Sequence, residues 1–235
     1  MGVLIGLSII LLWLAHLIYL FSSSLSWTTP QSYLHLALQG YLTTGLFITA
    51  HDAMHGSVSA LRWLNHTIGA CACWLFGAMS YRRLLEHHKQ HHAAPATATD
   101  PDFYVKSQNF WVWFGAFLFR YATVPQILTM AALYNLFERV FFVPESRIWL
   151  FWILPCAWGA LQLFYFGTYQ PHKLPLSEDM RPYAARTLKR HHLWAMLSCY
   201  FFGYHWEHHH SPATPWWKLW QLKDALQERR FSANT

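Results

Sequence analysis

The residues of this chain that could do chemistry are its histidines, sixteen in 235 positions, and half of them fall into three boxes. "HDAMH" sets His51 and His55 at i and i+4, "HKQHH" sets His88, His91 and His92 at i, i+3 and i+4, and "HWEHH" repeats that pattern with His205, His208 and His209. Positions three and four apart share one face of a helix at about 5–6 Å, so each box can aim two or three imidazoles at a common centre. A surface that merely titrates near pH 6.5, about the ordinary histidine value, would stack mutually repelling imidazolium ions along one helix. The spacing therefore predicts metal binding.

Imidazole suits zinc, copper, iron and nickel alike, so ligand type alone does not choose the metal. Structural zinc closes with four ligands, and eight box histidines exceed one such site, which points to two metals. The boxes are far richer in histidine than in the carboxylates that bridge soluble di-iron bundles, so an all-histidine pair of irons is the better fit. Metal-bound imidazoles give their other ring N–H to a carboxylate or carbonyl, and Asp52 and Glu207 within boxes, with Asp100 and Asp102 in "TDPDF", are the candidates for that role. Asp100-Pro101 is also good turn chemistry. His87, His191, His192 and His210 are expected at the surface or beside the ligands, and His16, His35 and His66 as isolated packing or interfacial residues.

The elements that position these boxes must be read against a composition 54% hydrophobic and 12% charged, where a soluble domain carries about 25% charge. Residues 2–22 form an apolar run long enough to cross about 30 Å of hydrocarbon, without the basic leader, short core and small-residue cleavage site of a signal peptide. Spans at 2–22, 33–52, 121–143 and 148–170 pair into two hairpins, with 63–80 and 193–204 interfacial or re-entrant and 215–235 a short surface helix. Turn 23–32 has no Lys or Arg and turn 144–147 only Arg147, whereas 81–120 and 173–192 hold ten between them. Cytoplasmic loops carry the basic excess, so both termini and boxes 51–55, 88–92 and 205–209 are expected in the cytoplasm. If 63–80 crossed alone, His51 and His88 would lie on opposite faces. The expected fold is one all-α integral membrane domain over 1–235, four transmembrane helices beneath a cytoplasmic histidine-rich cap.

Other functions fit less well. The excess of 17 Lys+Arg over 11 Asp+Glu is scattered, unlike the basic stripe of a nucleic-acid binder. Cys71, Cys73, Cys156 and Cys199 have no C-x-x-C spacing and read as small buried hydrophobes without a disulfide. A metal transporter would set polar ligands along a path near bilayer mid-depth, but the boxes lie at span ends. Neither a G-x-G-x-x-G fingerprint nor a haem C-x-x-C-H is present, so electrons for any redox reaction must come from a separate donor.

The boxes and hairpins resemble the membrane fatty-acid desaturase and hydroxylase superfamily of non-haem di-iron enzymes. "LFITAHDAMHG", "TDPDF", "LQLFYFGTYQPH" and "FGYHWEHHHSP" followed by "PWW" are similar to the beta-carotene ketolase family, over about residues 38 to 220. The resemblance implies the eight box histidines as ligands of two Fe ions, with His172 of "GTYQPH" as a ninth. It further implies O₂, electrons from a ferredoxin-type donor and reductase, and a carotenoid drawn from the lipid bilayer, whose ring C4 methylene is hydroxylated twice and then loses water to give a ketone. Phe47, Tyr81, Phe103, Tyr104, Phe164, Tyr165, Phe166 and Trp206 are expected near that site. Fatty-acyl desaturases, alkane hydroxylases and carotenoid hydroxylases share the boxes; only the "DPDF" and "FGTYQPH" contexts favour a ketolase. Oligomeric state and the choice between β-carotene and zeaxanthin stay open at this point.

Overall fold

A computed structural model describes residues 1–232. Helix α1 (Gly2–Ser22) is the apolar run, and after the turn it is followed by the antiparallel α2 (Gln31–Met54). The two are in close register: a Cβ on Gly6 would lie 3.0 Å from Thr49, and Trp13 Nε1 donates to Thr43 Oγ1 at 2.9 Å. Helix α2 is 24 residues long but carries buried Gln39, Thr43, Thr44, Thr49, His51 and Asp52. Among the described residues the helices both long and apolar enough to cross a membrane are Gly2–Ser22 and Glu145–His172.

Helix α3 (Arg62–Gly77) ends where Ala78 turns left-handed, and α4 (Tyr81–Ala93), which carries the second box, starts at an N-cap supplied by Ser80. The helix within the stretch 121–143 begins only after a bend. Tyr121 closes α5 (Phe110–Tyr121), and α6 (Val124–Arg139) sets off at 88° to it. The cause is local: Thr123 caps the new helix by accepting from the Gln126 amide, and Pro125 has no N–H to continue the old one. At 16 residues, α6 reaches about 24 Å.

Helix α7 (Glu145–His172) is continuous over 28 residues and contains π-helical turns at Trp149–Ile153 and Phe164–Tyr169. Arg147 Nη1 at its start donates to the Phe21 carbonyl at the end of α1, so the turn ends of both hairpins meet at one pole. The region 193–204 is shorter as a helix than expected. Helix α8 (His192–Cys199) stops where Tyr200 and Phe201 take positive φ, and α9 (His205–His210) and α10 (Leu219–Ser232) follow.

Several polar groups inside the bundle are paired across helices. Thr44 Oγ1 donates to Gln162 Oε1 at 2.6 Å, and Gln162 Nε2 donates to the Ser198 carbonyl. His16 and His35 are not isolated: their rings approach to 3.0 Å, and His16 Nδ1 lies 2.6 Å from Gln39 Oε1. Cys71 is exposed rather than buried.

The second π-turn depends on a close approach, because a Cβ on Gly167 would sit 2.0 Å from the Phe202 ring, inside the core. Gly167→Ala should therefore lower stability by about 1–3 kcal/mol through overpacking, read as a fall in Tm in detergent. Gly115→Ala, on α5 with open space around it, is the matched control and should leave Tm level or slightly raised.

Candidate metal centre

The C-terminal ends of α2 and α7 arrive beside α4 and α9, and their histidine rings form two adjoining clusters. His51, His55, His88, His92 and His208 make one; His91, His172, His205 and His209 make the other, and within each group the ligand atoms lie within 4.8 Å of one another. The first box stays whole, but the two three-histidine boxes, each able by spacing to aim at a common centre, are divided between the clusters. In α4, His88 and His92 go to the first cluster and His91 to the second; in α9, His205 and His209 go to the second and His208 to the first. Residues i and i+4 nearly eclipse, while i+3 and i+4 are separated by about 100° around the helix, so a three-histidine box naturally addresses two points.

Ring nitrogens converge in both clusters. His88 Nε2 approaches His55 Nε2 to 2.7 Å and His92 Nε2 approaches His208 Nε2 to 3.0 Å; His209 Nε2 lies 3.1 Å from both His91 Nε2 and His205 Nε2. The Nε2 atoms of His51 and His172 are buried with no hydrogen-bond partner. Two of the outward nitrogens are supported, while His205 Nδ1 is buried without a partner. His172 Nδ1 donates to the Ala184 carbonyl at 2.9 Å, and His91 Nδ1 lies 3.0 Å from both oxygens of Asp100. Imidazoles held from behind, with lone pairs turned on a shared point, are the arrangement metal ligation requires, so the residues present fit metal ions at both clusters.

Electrostatics agree. Burial first, then repulsion among neighbouring rings, holds His88, His205, His208 and His209 well below the ordinary histidine range, and burial with its neighbours brings His92 down to about 2. His91 differs: burial opposes its charge, but the Asp100 hydrogen bond and the nearby carboxylates outweigh burial and raise it. Burial pushes Asp100 up as well, yet His91 and the amides of Asp102 and Ala96 keep it below the usual carboxylate value.

The family model for the fatty acid desaturases matches residues 28–147. The chain belongs to the fatty acid desaturase family. It is 35% identical over 232 residues to a protein named zeaxanthin 4-ketolase from Chlamydomonas reinhardtii, covering 93% of this chain and 52% of that one. It is 34% identical over 199 residues to a beta-carotene ketolase from Haematococcus lacustris, covering 80% and 62%, and 37% identical over 187 residues to one from Paracoccus sp. (strain PC1), covering 76% and 74%. The chain spans about half the length of the Chlamydomonas relative. No solved structure matches it.

Within this desaturase-family chain all nine sequence-predicted histidines lie in the two clusters. The acids divide. Asp100 supports His91 directly and accepts from the Ala96 and Asp102 amides, while Asp102 lies 3.8 Å from His91 Nδ1 and accepts from the Tyr121 hydroxyl. Asp52, 3.8 Å from His51 Nδ1, accepts from the Trp216 amide and so ties the "PWW" segment to the first box. Glu207 borders a separate cleft with Lys223 and Asp224, and among the described residues no hydrogen bond joins it to a box histidine. His210 stacks on Trp206 outside both clusters, and His192 faces Tyr204 and Asp224.

A cavity of about 280 Å³ opens beside the clusters, lined by His51 and His88 of one and His91 and His205 of the other. The remaining wall is largely apolar, including Phe47, Phe76, Phe117, Leu163 and Phe202. Of the aromatics expected near the site only Phe47 lines it; Phe103 and Phe164 pack in a separate cluster around Trp113. Sequence reasoning missed Tyr121, the Ala184 carbonyl and the Trp216 amide, none of which lies in a histidine-box pattern.

Two outcomes follow from this geometry. Asp100→Asn should weaken metal retention about 10- to 100-fold, the usual effect of losing an outer hydrogen-bond partner, read by metal analysis after dialysis against a graded chelator. The metal-free protein should lose stability as pH falls below about 6.5, because the unfolded chain then binds protons that the depressed rings of His88, His92 and His205 refuse. Above that pH both states leave these rings neutral, so Tm should flatten there; a Tm constant from pH 7 to about pH 5 would contradict the assignment.

Proposed function

We propose that the chain is an O₂-dependent di-iron carotenoid ketolase, which converts the C4 methylene of a β-ionone ring to a ketone, giving echinenone and canthaxanthin from β-carotene and astaxanthin from zeaxanthin. The observation that carries this reading is the apolar cavity bordered by histidines from both clusters, in a family member whose relatives bear ketolase names. His51, His55, His88, His92 and His208 would hold one iron and His91, His172, His205 and His209 the other. Bound there, the iron pair supplies with O₂ the oxidising power for C–H cleavage that side chains lack. Electrons come from a separate donor protein.

The chain's own residues do the rest. Asp100 fixes the tautomer and orientation of His91, and the Ala184 carbonyl does the same for His172. Phe47, Phe76, Phe117 and Phe202 line the cavity that would take the apolar ring and exclude water from it. Asp52 locks the C-terminal segment over the first box. In this reading α1, α2, α6 and α7 are the four spans, with α3, α5 and α8 along the interface and both termini on the cytoplasmic side with the metals. The polar content of α2 agrees, since its buried polar groups face other helices and not lipid. Helix α6 has no buried residue, yet Gln126 and Met130 border the cavity, so the α5–α6 bend is the side from which a bilayer-dissolved substrate enters.

Expression in a host that accumulates β-carotene tests the reading: 4-keto carotenoids should appear when a ferredoxin-type reductant is supplied. Only 3-hydroxylated carotenoids, or unaltered β-carotene beside well-expressed protein, would overturn it in favour of a sister activity. In the same host His88→Ala, His91→Ala, His208→Ala or His209→Ala should abolish conversion, while His16→Ala or His35→Ala, at the His16–Gln39 contact within the bundle, should keep most of it.

A further inference from the structure

A ketone requires two oxidations at one carbon. The first inserts one oxygen atom of O₂ into a C–H bond and reduces the other to water with two electrons and two protons; the second repeats this at the same carbon, and the resulting geminal diol loses water. Between the two rounds the product is a secondary alcohol, more polar than the ring it came from and surrounded by the largely apolar wall described above. A buried hydroxyl without a partner is disfavoured, so the alcohol should leave unless the wall offers it a hydrogen bond.

Nearly every polar side chain on that wall other than the cluster histidines is already engaged. The Tyr121 hydroxyl donates to Asp102, Gln126 Nε2 donates to the Gly77 carbonyl at 2.8 Å, and Cys156 Sγ donates to the Phe76 carbonyl at 3.2 Å. Thr168 is the exception. It is 5% exposed and lines the cavity, and among the described residues no hydrogen bond engages its hydroxyl. Three other helical threonines donate back to the carbonyl four residues earlier, Thr43 to Gln39, Thr44 to Gly40 and Thr129 to Pro125, whereas Thr49 of α2, away from this wall, does not. Thr168 lies inside the π-helical turn Phe164–Tyr169 and makes no such bond. It also stands four residues before His172, one turn back on the same helix, and shares the wall with His91 and His205 of the same cluster.

We propose that Thr168 is the substrate-positioning residue that holds the newly formed ring alcohol in the cavity, its hydroxyl hydrogen-bonding that alcohol so that the same carbon is presented for the second oxidation. This rests on the ketolase reading and deepens it. Thr168 then sets how much of the product leaves as alcohol and how much as ketone.

The test compares wild type with Thr168→Val, Thr168→Ala and Thr168→Ser, each checked for folding and for metal content per chain. In the β-carotene host the two hydroxyl-free variants should raise the ratio of 4-hydroxy to 4-keto product about ten-fold, the weight of one hydrogen bond, and Thr168→Ser should restore it. Purified metal-free protein gives an independent readout through quenching of tryptophan fluorescence. There Thr168→Val should weaken binding of a 4-hydroxylated carotenoid relative to β-carotene by a similar factor. An unchanged product ratio and unchanged relative binding in folded Val and Ala variants overturn the proposal. If wild type forms no oxygenated carotenoid, the ketolase reading falls, and the binding comparison alone decides Thr168: selective loss of the hydroxylated ligand supports its role, and equal loss of both ligands rejects it.

Discussion

Nine imidazoles share a small volume near the ends of four helices, and most of them are held neutral there by burial and by one another. That constraint organises the rest of the structure. A buried ring nitrogen needs a partner, and with so many turned inward the partners cannot all be other side chains: His51 and His172 each leave one without any. Two rings are aimed from behind, and their supporting groups come from segments that look structural: the Ala184 backbone carbonyl behind His172 and an aspartate in a turn behind His91. Loops around the site therefore act as orienting devices for neutral imidazoles.

The same demand shapes the bundle. Bringing His51 to the site requires α2 to run through the middle of the molecule, against α1, α3 and α7. Its threonines and Gln39 are buried there, and Trp13 and Gln162 bond to Thr43 and Thr44. Interhelical hydrogen bonds of this kind replace the hydrophobic driving force that is absent between helices in lipid. Helix α2 is consequently less apolar than α1 while being more enclosed, and apolarity along a helix measures its exposure to lipid better than its place in the fold.

What could be read from the sequence was what is local. The i, i+3, i+4 spacing fixes which helix faces carry the clustered histidines, and the apolar runs fix the helices around 2–22 and 148–170. In the 121–143 stretch the helix starts at Val124, because a capping threonine and a proline outweigh continuous hydrophobicity at residues 123–125. The Tyr121–Asp102 bond, the Asp52–Trp216 bond across 164 positions and the π-turn around Thr168 depend on tertiary packing, and no periodicity encodes them. His172 carries no box spacing of its own and was visible only through the "GTYQPH" resemblance.

The division of the boxes has a structural consequence of its own. Helix α4 gives two rings to the first cluster and one to the second, and α9 gives one to the first and two to the second. Neither cluster can be assembled from one box helix, so a displacement of α4 against α9 disturbs both at once. The stacked rings of His92 and His209, 4.2 Å apart, lie at the seam where one cluster meets the other. Each cluster also turns two rings toward the cavity, His51 and His88 from one and His91 and His205 from the other. The reciprocal sharing of boxes thus keeps the two centres adjacent and equally placed against whatever occupies that cavity, which two separately built metal sites would not ensure.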